Sequence, residues 1–305
     1  MKIKKCFLWV VLTSFSFATF AQITEGEKKL KAVATDTVVG WKKGIATSLN
    51  FSQTALINWS AGGEDSYALN AMLGMFANYK NEKSAWDNSL DMGYGLLNQG
   101  DEEMKKTDDR IELTSKYGRK AVTSFYWAGL LNFKTQFMPG YKYTDDTETK
   151  ISNFLAPGYL VGALGMNYKP NNYFSAFLAP VTGKLTIVND EDLSAEGAYG
   201  VDPGKKSRSE FGGYARLNYA RNDFKNEWLK NISLSSKLDL FSNYLDKPQN
   251  IDVSWENIIL MKVNKYIGIS LNTNLLYDAD IIDPVSGKAK VQFKEILGVG
   301  FSLKF

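Results

Sequence analysis

The chain has 305 residues, with 36 Lys and Arg against 33 Asp and Glu and no histidine. A net charge of +3 is too small and too scattered to recruit nucleic acid, so no nucleic-acid partner is expected. Without imidazole, Ser-His nucleophiles, His-assisted attack by water and His-ligated metals are all excluded. A carboxylate-only site stays conceivable, but the expectation is no enzyme, no catalytic residue, no cofactor and no metal.

Met1 to Lys5 holds three lysines, 7–20 is an apolar run, and Thr19-Phe20-Ala21 offers a small-x-small cut before Gln22. This pattern predicts a secretory signal peptide over 1–21, too short to be a convincing spanning helix. Cys6 lies upstream of the apolar core, badly placed as a lipid acceptor, and the mature chain keeps no cysteine for disulfides or thiolate metal sites. Residues 22–40, with Glu25, Glu27, Lys28, Lys29 and Lys31, have little to bury and read as a flexible periplasmic leader.

From 41 to 305 the pattern is a β-barrel. Alternation with a period of two marks about twelve strands. They are 42–51, 66–79, 85–97, 110–117, 123–137, 154–168, 173–188, 209–220, 229–243, 251–263, 266–277 and 292–305. In the second, Leu69, Ala71, Leu73, Met75 and Ala77 oppose Asn70, Gly74 and Asn78; in the ninth, Ile232, Leu234, Leu238 and Leu240 oppose Ser233, Ser235, Lys237 and Asp239. The sixth, seventh and tenth alternate poorly, and Pro157 and Pro180 sit in or near strand runs, where a missing N–H breaks a ladder.

Expected short turns are 80–84, 118–122, 169–172, 221–228 and 264–265. Expected longer loops are 52–65, 98–109, 138–153, 189–208, 244–250 and 278–291, with 244–250 the soft case. Short and long links alternate in outer-membrane barrels, which seats both termini in the periplasm. Beyond the signal there is no uninterrupted apolar run of spanning length. With 16 Tyr, 18 Phe and 7 Trp to supply interfacial girdles, the fold class is an all-β, single-chain antiparallel transmembrane β-barrel.

The apolar faces should meet lipid and the polar faces the lumen. Lumen-lining candidates are Glu112 and Lys116 on the fourth strand, Lys134 on the fifth, Glu210 and Arg216 on the eighth, and Lys237 and Asp239 on the ninth. They form either a charged constriction that selects solutes or a salt-bridge network that fills a narrow barrel, and their mixed signs favour the network. The glycine-rich stretch Ser60-Ala61-Gly62-Gly63-Glu64-Asp65-Ser66 lacks the Lys and Ser/Thr of a phosphate loop and reads as a tight turn. Asp190, Glu191, Asp192 and Glu196 suit calcium by chemistry but lack the fixed spacing of a calcium loop.

At the end of the chain, Leu297, Val299, Phe301, Leu303 and Phe305 share one face, against Gly298, Gly300, Ser302 and Lys304. This ending resembles the closing strand of bacterial outer-membrane β-barrels. The resemblance implies that barrel-assembly machinery reads Phe301, Leu303 and Phe305. Gly40-Trp41-Lys42-Lys43-Gly44, Asn50-Phe51-Ser52-Gln53-Thr54 and Asn58-Trp59-Ser60-Ala61-Gly62-Gly63-Glu64, with Trp86-Asp87-Asn88 and Gly93-Tyr94-Gly95, carry a second resemblance. They resemble an uncharacterised Bacteroidota family, the domain-of-unknown-function family numbered 3078, over about 40–305. That resemblance implies an outer-membrane or cell-envelope setting and supplies no catalytic residues.

The expected location is therefore the bacterial outer membrane, with outer-membrane lipid, the assembly machinery and an envelope protein as candidate partners. Two functions stand: a narrow pore or small-solute or lipid transporter, and a non-catalytic structural or accessory subunit of an outer-membrane complex.

Overall fold

A computed structural model describes residues 39–57, 64–144, 147–264, 267–283 and 287–301. The signal and leader expected over 1–40 lie almost wholly outside these residues, as do Leu303 and Phe305.

The alternating segments form one antiparallel sheet of twelve strands in which each main strand pairs with the next. It opens with β1 (Gly40–Thr54), β2 (Ser66–Lys80), β3 (Ser84–Gln99), β4 (Lys105–Val122) and β5 (Phe125–Thr135). A separate hairpin of β6 (Gly140–Thr144) and β7 (Thr147–Ser152) follows, and the sheet resumes with β8 (Gly158–Tyr168) and β9 (Phe174–Ile187). A short helix, α1 (Glu191–Ala195), precedes β10 (Ser207–Arg221), β11 (Ile232–Asn243), β12 (Ile251–Lys262) and β13 (Ile267–Tyr277). A second small hairpin, β14 (Ile282–Asp283) with β15 (Lys288–Ala289), leads to β16 (Gln292–Phe301). The twelve strands read from the sequence are the twelve of this sheet.

Three departures have physical causes. β4 runs through residues expected as loop and turn. A bulge that matches Gly95 to Asp108 and Leu96 to Lys106 carries the ladder on to Lys105, and a second shift between Lys120 and Val122 carries it to the far end. The charges in this stretch are paired, Lys106 with Asp109 at 2.7 Å and Asp108 with Lys294 at 2.5 Å. In β9 a bulge at Pro180 reverses facing: Ser175, Phe177 and Ala179 are buried before it, and Thr182, Lys184 and Thr186 after it. The proline thus sits where the ladder needs no donor. A Cβ on Gly165 would lie 2.0 Å from the Leu178 carbonyl oxygen, and one on Gly212 1.9 Å from that of Ser242, so these strands approach too closely for any side chain there. Finally, β8 and β12 alternate weakly because they are apolar on both faces; Ala163, Ile258 and Leu260 point inward and are buried.

The sheet is curled. At about 4.8 Å per strand, β4 and β12 would lie roughly 29 Å apart in a flat sheet. Yet Arg110 of β4 meets Glu256 of β12 at 2.8 Å, and Lys294 of β16 reaches Asp108 of β4. The edge strands β1 and β16 come within 8 Å of each other by Cα, with no ladder between them among the described residues.

Large apolar side chains stand exposed on the convex face while several charged ones are buried on the concave face. Trp127 and Leu297 are 62% and 66% exposed on the convex face, whereas Glu112 and Arg216 are each 4% exposed on the concave one. Among the described residues no helix is long and apolar enough to cross a membrane, which leaves strands untouched.

Candidate functional site

Register alone brings opposite charges together on the concave face. Glu112 lies opposite Lys134, Arg216 opposite Asp239, and Lys237 opposite Glu256, and such cross-strand pairs attract. Curling then joins the pairs. Lys237 Nζ donates to both Glu112 oxygens at 3.1 and 3.0 Å and sits 3.1 Å from Glu256, which also holds Arg110. Arg216 donates bidentately to Asp239 at 2.6 and 2.8 Å and lies 3.8 Å from Glu112. Lys134 bridges Glu112 and Asp239 at 3.7 and 3.5 Å. Asn132 Nδ2 and the Tyr214 hydroxyl donate to Glu112 and Asp239 at 3.0 and 2.7 Å. The result is one charged layer across the interior.

Beside the layer sits an apolar block of Leu130, Ala163, Phe177, Tyr214 and Phe241. Phe177 exposes no surface, and its ring packs edge-on to Tyr214 at 6.3 Å. Next to it are two hollows that share Asn78, Asp87, Lys116 and Ser175 in their walls. One, of about 200 Å³, is bounded by Arg110, Glu112, Lys237 and Glu256. The other, of about 380 Å³, reaches the short links at 81–83 and 169–173.

Five of the seven candidates, Glu112, Lys134, Arg216, Lys237 and Asp239, therefore meet in one network. Lys116 lies apart in the hollows and donates to Asn167 Oδ1 at 3.4 Å. Glu210 lies at the long-link end with Lys184 at 3.4 Å and Arg208 at 3.3 Å. Sequence reasoning missed Arg110 and Glu256, although Arg110 shares Glu112's parity and Glu256 stands opposite Lys237. It also missed Phe177, whose only signal was the poor alternation of its strand.

In the loop before β10, two of the four carboxylates that suggested calcium, Asp190 and Asp192, have other partners. Asp190 accepts from the Leu193 N–H at 3.2 Å to cap α1, accepts from Asn153 Nδ2 at 2.8 Å, and pairs with Lys150 at 2.9 Å; Lys150 also holds Asp192 at 2.5 Å. Burial works to raise the Asp190 pKa, but hydrogen bonds from Asn153, Lys150 and Leu193 overcome it and hold the carboxyl at about 2. Among the described residues no group of three His, Cys, Asp or Glu is placed to hold a metal ion. Beside α1, Ala156, Val188, Leu193 and Val201 form a small apolar core of their own. Arg208 ties this cap to the loop after β13 through Asp280 at 2.8 Å.

No curated protein matches the sequence. Among solved structures, the translocator domain of the autotransporter NalP from Neisseria meningitidis is similar at 12% identity and a TM-score of 0.32, over 94% of this chain and 100% of that one. Residues 51–141, which run from the end of β1 to the start of β6 and carry Glu112, Lys116 and Lys134, match the family described as Protein of unknown function (DUF3078).

Proposed function

We propose that the chain is an outer-membrane β-barrel, with both termini in the periplasm, whose interior is a narrow small-solute conduit held shut at rest by the charged layer. The apolar convex face, the charged concave face and the curl of the sheet support the membrane setting. The observation that carries the conduit is the layer's position against the smaller hollow, which adjoins the larger one. A barrel that served only as a scaffold has no need of polar space beside its most highly charged level. Opening requires the ion pairs to exchange partners, because stranding one buried charge costs about 3–5 kcal/mol. Neither this reading nor the next includes catalysis, since the chain has no histidine to move a proton near neutral pH.

The second reading is the accessory subunit, which the Phe177–Tyr214–Phe241 block favours because it fills the interior beside the layer. Swelling of liposomes loaded with the folded, heat-modifiable protein separates the two. The conduit gives slow entry of small sugars and salts, faster in Phe177→Ala. Impermeable liposomes with both proteins leave the accessory role.

A further inference from the structure

We propose that the hollow at the short-link end binds a neutral pyranose sugar. As the solute class of the conduit, this deepens the reading above and rests on it; as a binding site, it stands without conduction. The hollow measures about 380 Å³, within the roughly 300–1,000 Å³ of small-molecule pockets. Its cations do not select an anion: Lys42, Lys80 and Lys169 already have partners, and Lys116 stands opposite Asp87. The groups left to bind a ligand are neutral. Asn167 is 7% exposed and Ser175 3%, and both line the hollow. The Asn167 side-chain oxygen accepts from Lys116 Nζ at 3.4 Å, while its amide nitrogen donates to nothing among the described residues. The Ser175 hydroxyl has no hydrogen-bond partner among them.

Asn78 and Asn171, in the same wall, repeat this arrangement. Their side-chain oxygens accept backbone N–H groups, from Asn88 at 3.1 Å and from Tyr173 and Phe174 at 2.8 and 3.0 Å, so their amide nitrogens too are left to donate. Polar groups left without partners in a buried wall cost free energy, which a ligand with matching groups recovers. A sugar hydroxyl both donates and accepts, so a ring of hydroxyls answers the amide N–H groups and the Asp87 carboxylate together. Asn78 and Asp87 lie directly opposite each other on β2 and β3, on the rigid sheet rather than on loops. Tyr126 supplies the apolar part: it points inward from β5, directly opposite Asn167 on β8. The electron-rich face of its ring attracts the C–H face of a pyranose, a contact that neither water nor a small ion makes.

The experiment is calorimetric titration of glucose, galactose, mannose and N-acetylglucosamine into the folded protein in a polyoxyethylene detergent, which carries no sugar head. Sorbitol, an open-chain polyol without a ring face, is the comparator. The expected result is saturable binding of one pyranose per chain, about tenfold weaker in Tyr126→Ala, about threefold weaker in Ser175→Ala and unchanged in Lys230→Gln outside the hollow. Sorbitol should bind about tenfold more weakly than the best pyranose. Ser175→Ala removes only a hydroxyl without a partner, so it tests the site even if Tyr126→Ala folds poorly. Failure of all four sugars to saturate, equal affinity in Ser175→Ala, or sorbitol bound as well as the pyranoses overturns the proposal. Sugar binding by a protein that never conducts sinks the conduit and keeps the site; conductance without sugar binding does the opposite.

Discussion

Lys237 on β11 grips both carboxylate oxygens of Glu112 on β4, at 3.0 and 3.1 Å, although the two strands stand five places apart in the sheet. A contact of this kind exists only if the sheet curls, so the pair links the tertiary shape to the charged layer. Each partner has other ion-pair neighbours, Lys134 and Arg216 for Glu112 and Glu256 for Lys237. Loss of Lys237 therefore leaves Glu112 partly compensated. Lys237→Met should cost about 2 kcal/mol, below the full penalty for a stranded buried charge. A double-mutant cycle with Glu112→Gln should return a coupling of about 1–3 kcal/mol by urea unfolding in detergent. Strict additivity would mean that the two groups do not interact.

The convex face carries a polar line between apolar rows. Ser236, Asn257, Thr273 and Glu295 lie directly opposite one another across β11, β12, β13 and β16. Trp255 Nε1 donates to Ser236 Oγ at 2.9 Å, and that hydroxyl donates to Asn257 Oδ1 at 2.7 Å. In the proposed membrane setting Glu295 faces hydrocarbon, so Glu295→Leu should stabilise the folded protein in bilayers by about 1 kcal/mol. Destabilisation in lipid would place this face elsewhere.

The spacing of neighbouring strands makes a sharper claim about two glycines. A Cβ at Gly212 meets backbone, whereas one at Gly162 meets nothing within 4 Å. Gly212→Ala should therefore cost about 3 kcal/mol or prevent folding, and Gly162→Ala should be neutral or slightly stabilising. Equal behaviour in a heat-modifiability assay would contradict the close approach of β11 to β10 at Gly212.

Acid should loosen the cap around α1. The Asp190 carboxyl is held at about 2, below its ordinary 3.8, so its contribution is complete above about pH 4 and disappears as the pH falls through 2. The expected loss is about 1–2 kcal/mol. Hydrogen-exchange protection of residues 188–201, corrected for intrinsic rates, should fall over that window, and Asn153→Ala should move the fall to higher pH. A flat profile would refute the cap's dependence on Asp190.

Much of this was legible in the sequence because a half-buried strand writes its facing directly into its alternation. Lys237 and Asp239 were readable as inward from Ile232, Leu234, Leu238 and Leu240 alone. What escaped was whatever breaks period two. The Pro180 bulge switches parity within β9, and Ala163, Ile258 and Leu260 put apolar groups on the inward face, so the block around Phe177 had no pattern to reveal it. The start of β4 was expected as loop, and one contact that holds it in the sheet, Asp108 with Lys294, joins residues far apart in the chain. The joining of Glu112 to Lys237 depends on curl, which strand periodicity does not encode.

The most direct test of the central claim is single-channel recording in planar bilayers of the folded protein beside Phe177→Ala. The account predicts brief, low-conductance openings for the unaltered protein and longer, larger ones for the variant, because the charged layer then stands without the ring that backs it. Equal silence from both correctly folded proteins, or a steady wide-open current from the unaltered one, would contradict a conduit shut at its charged layer.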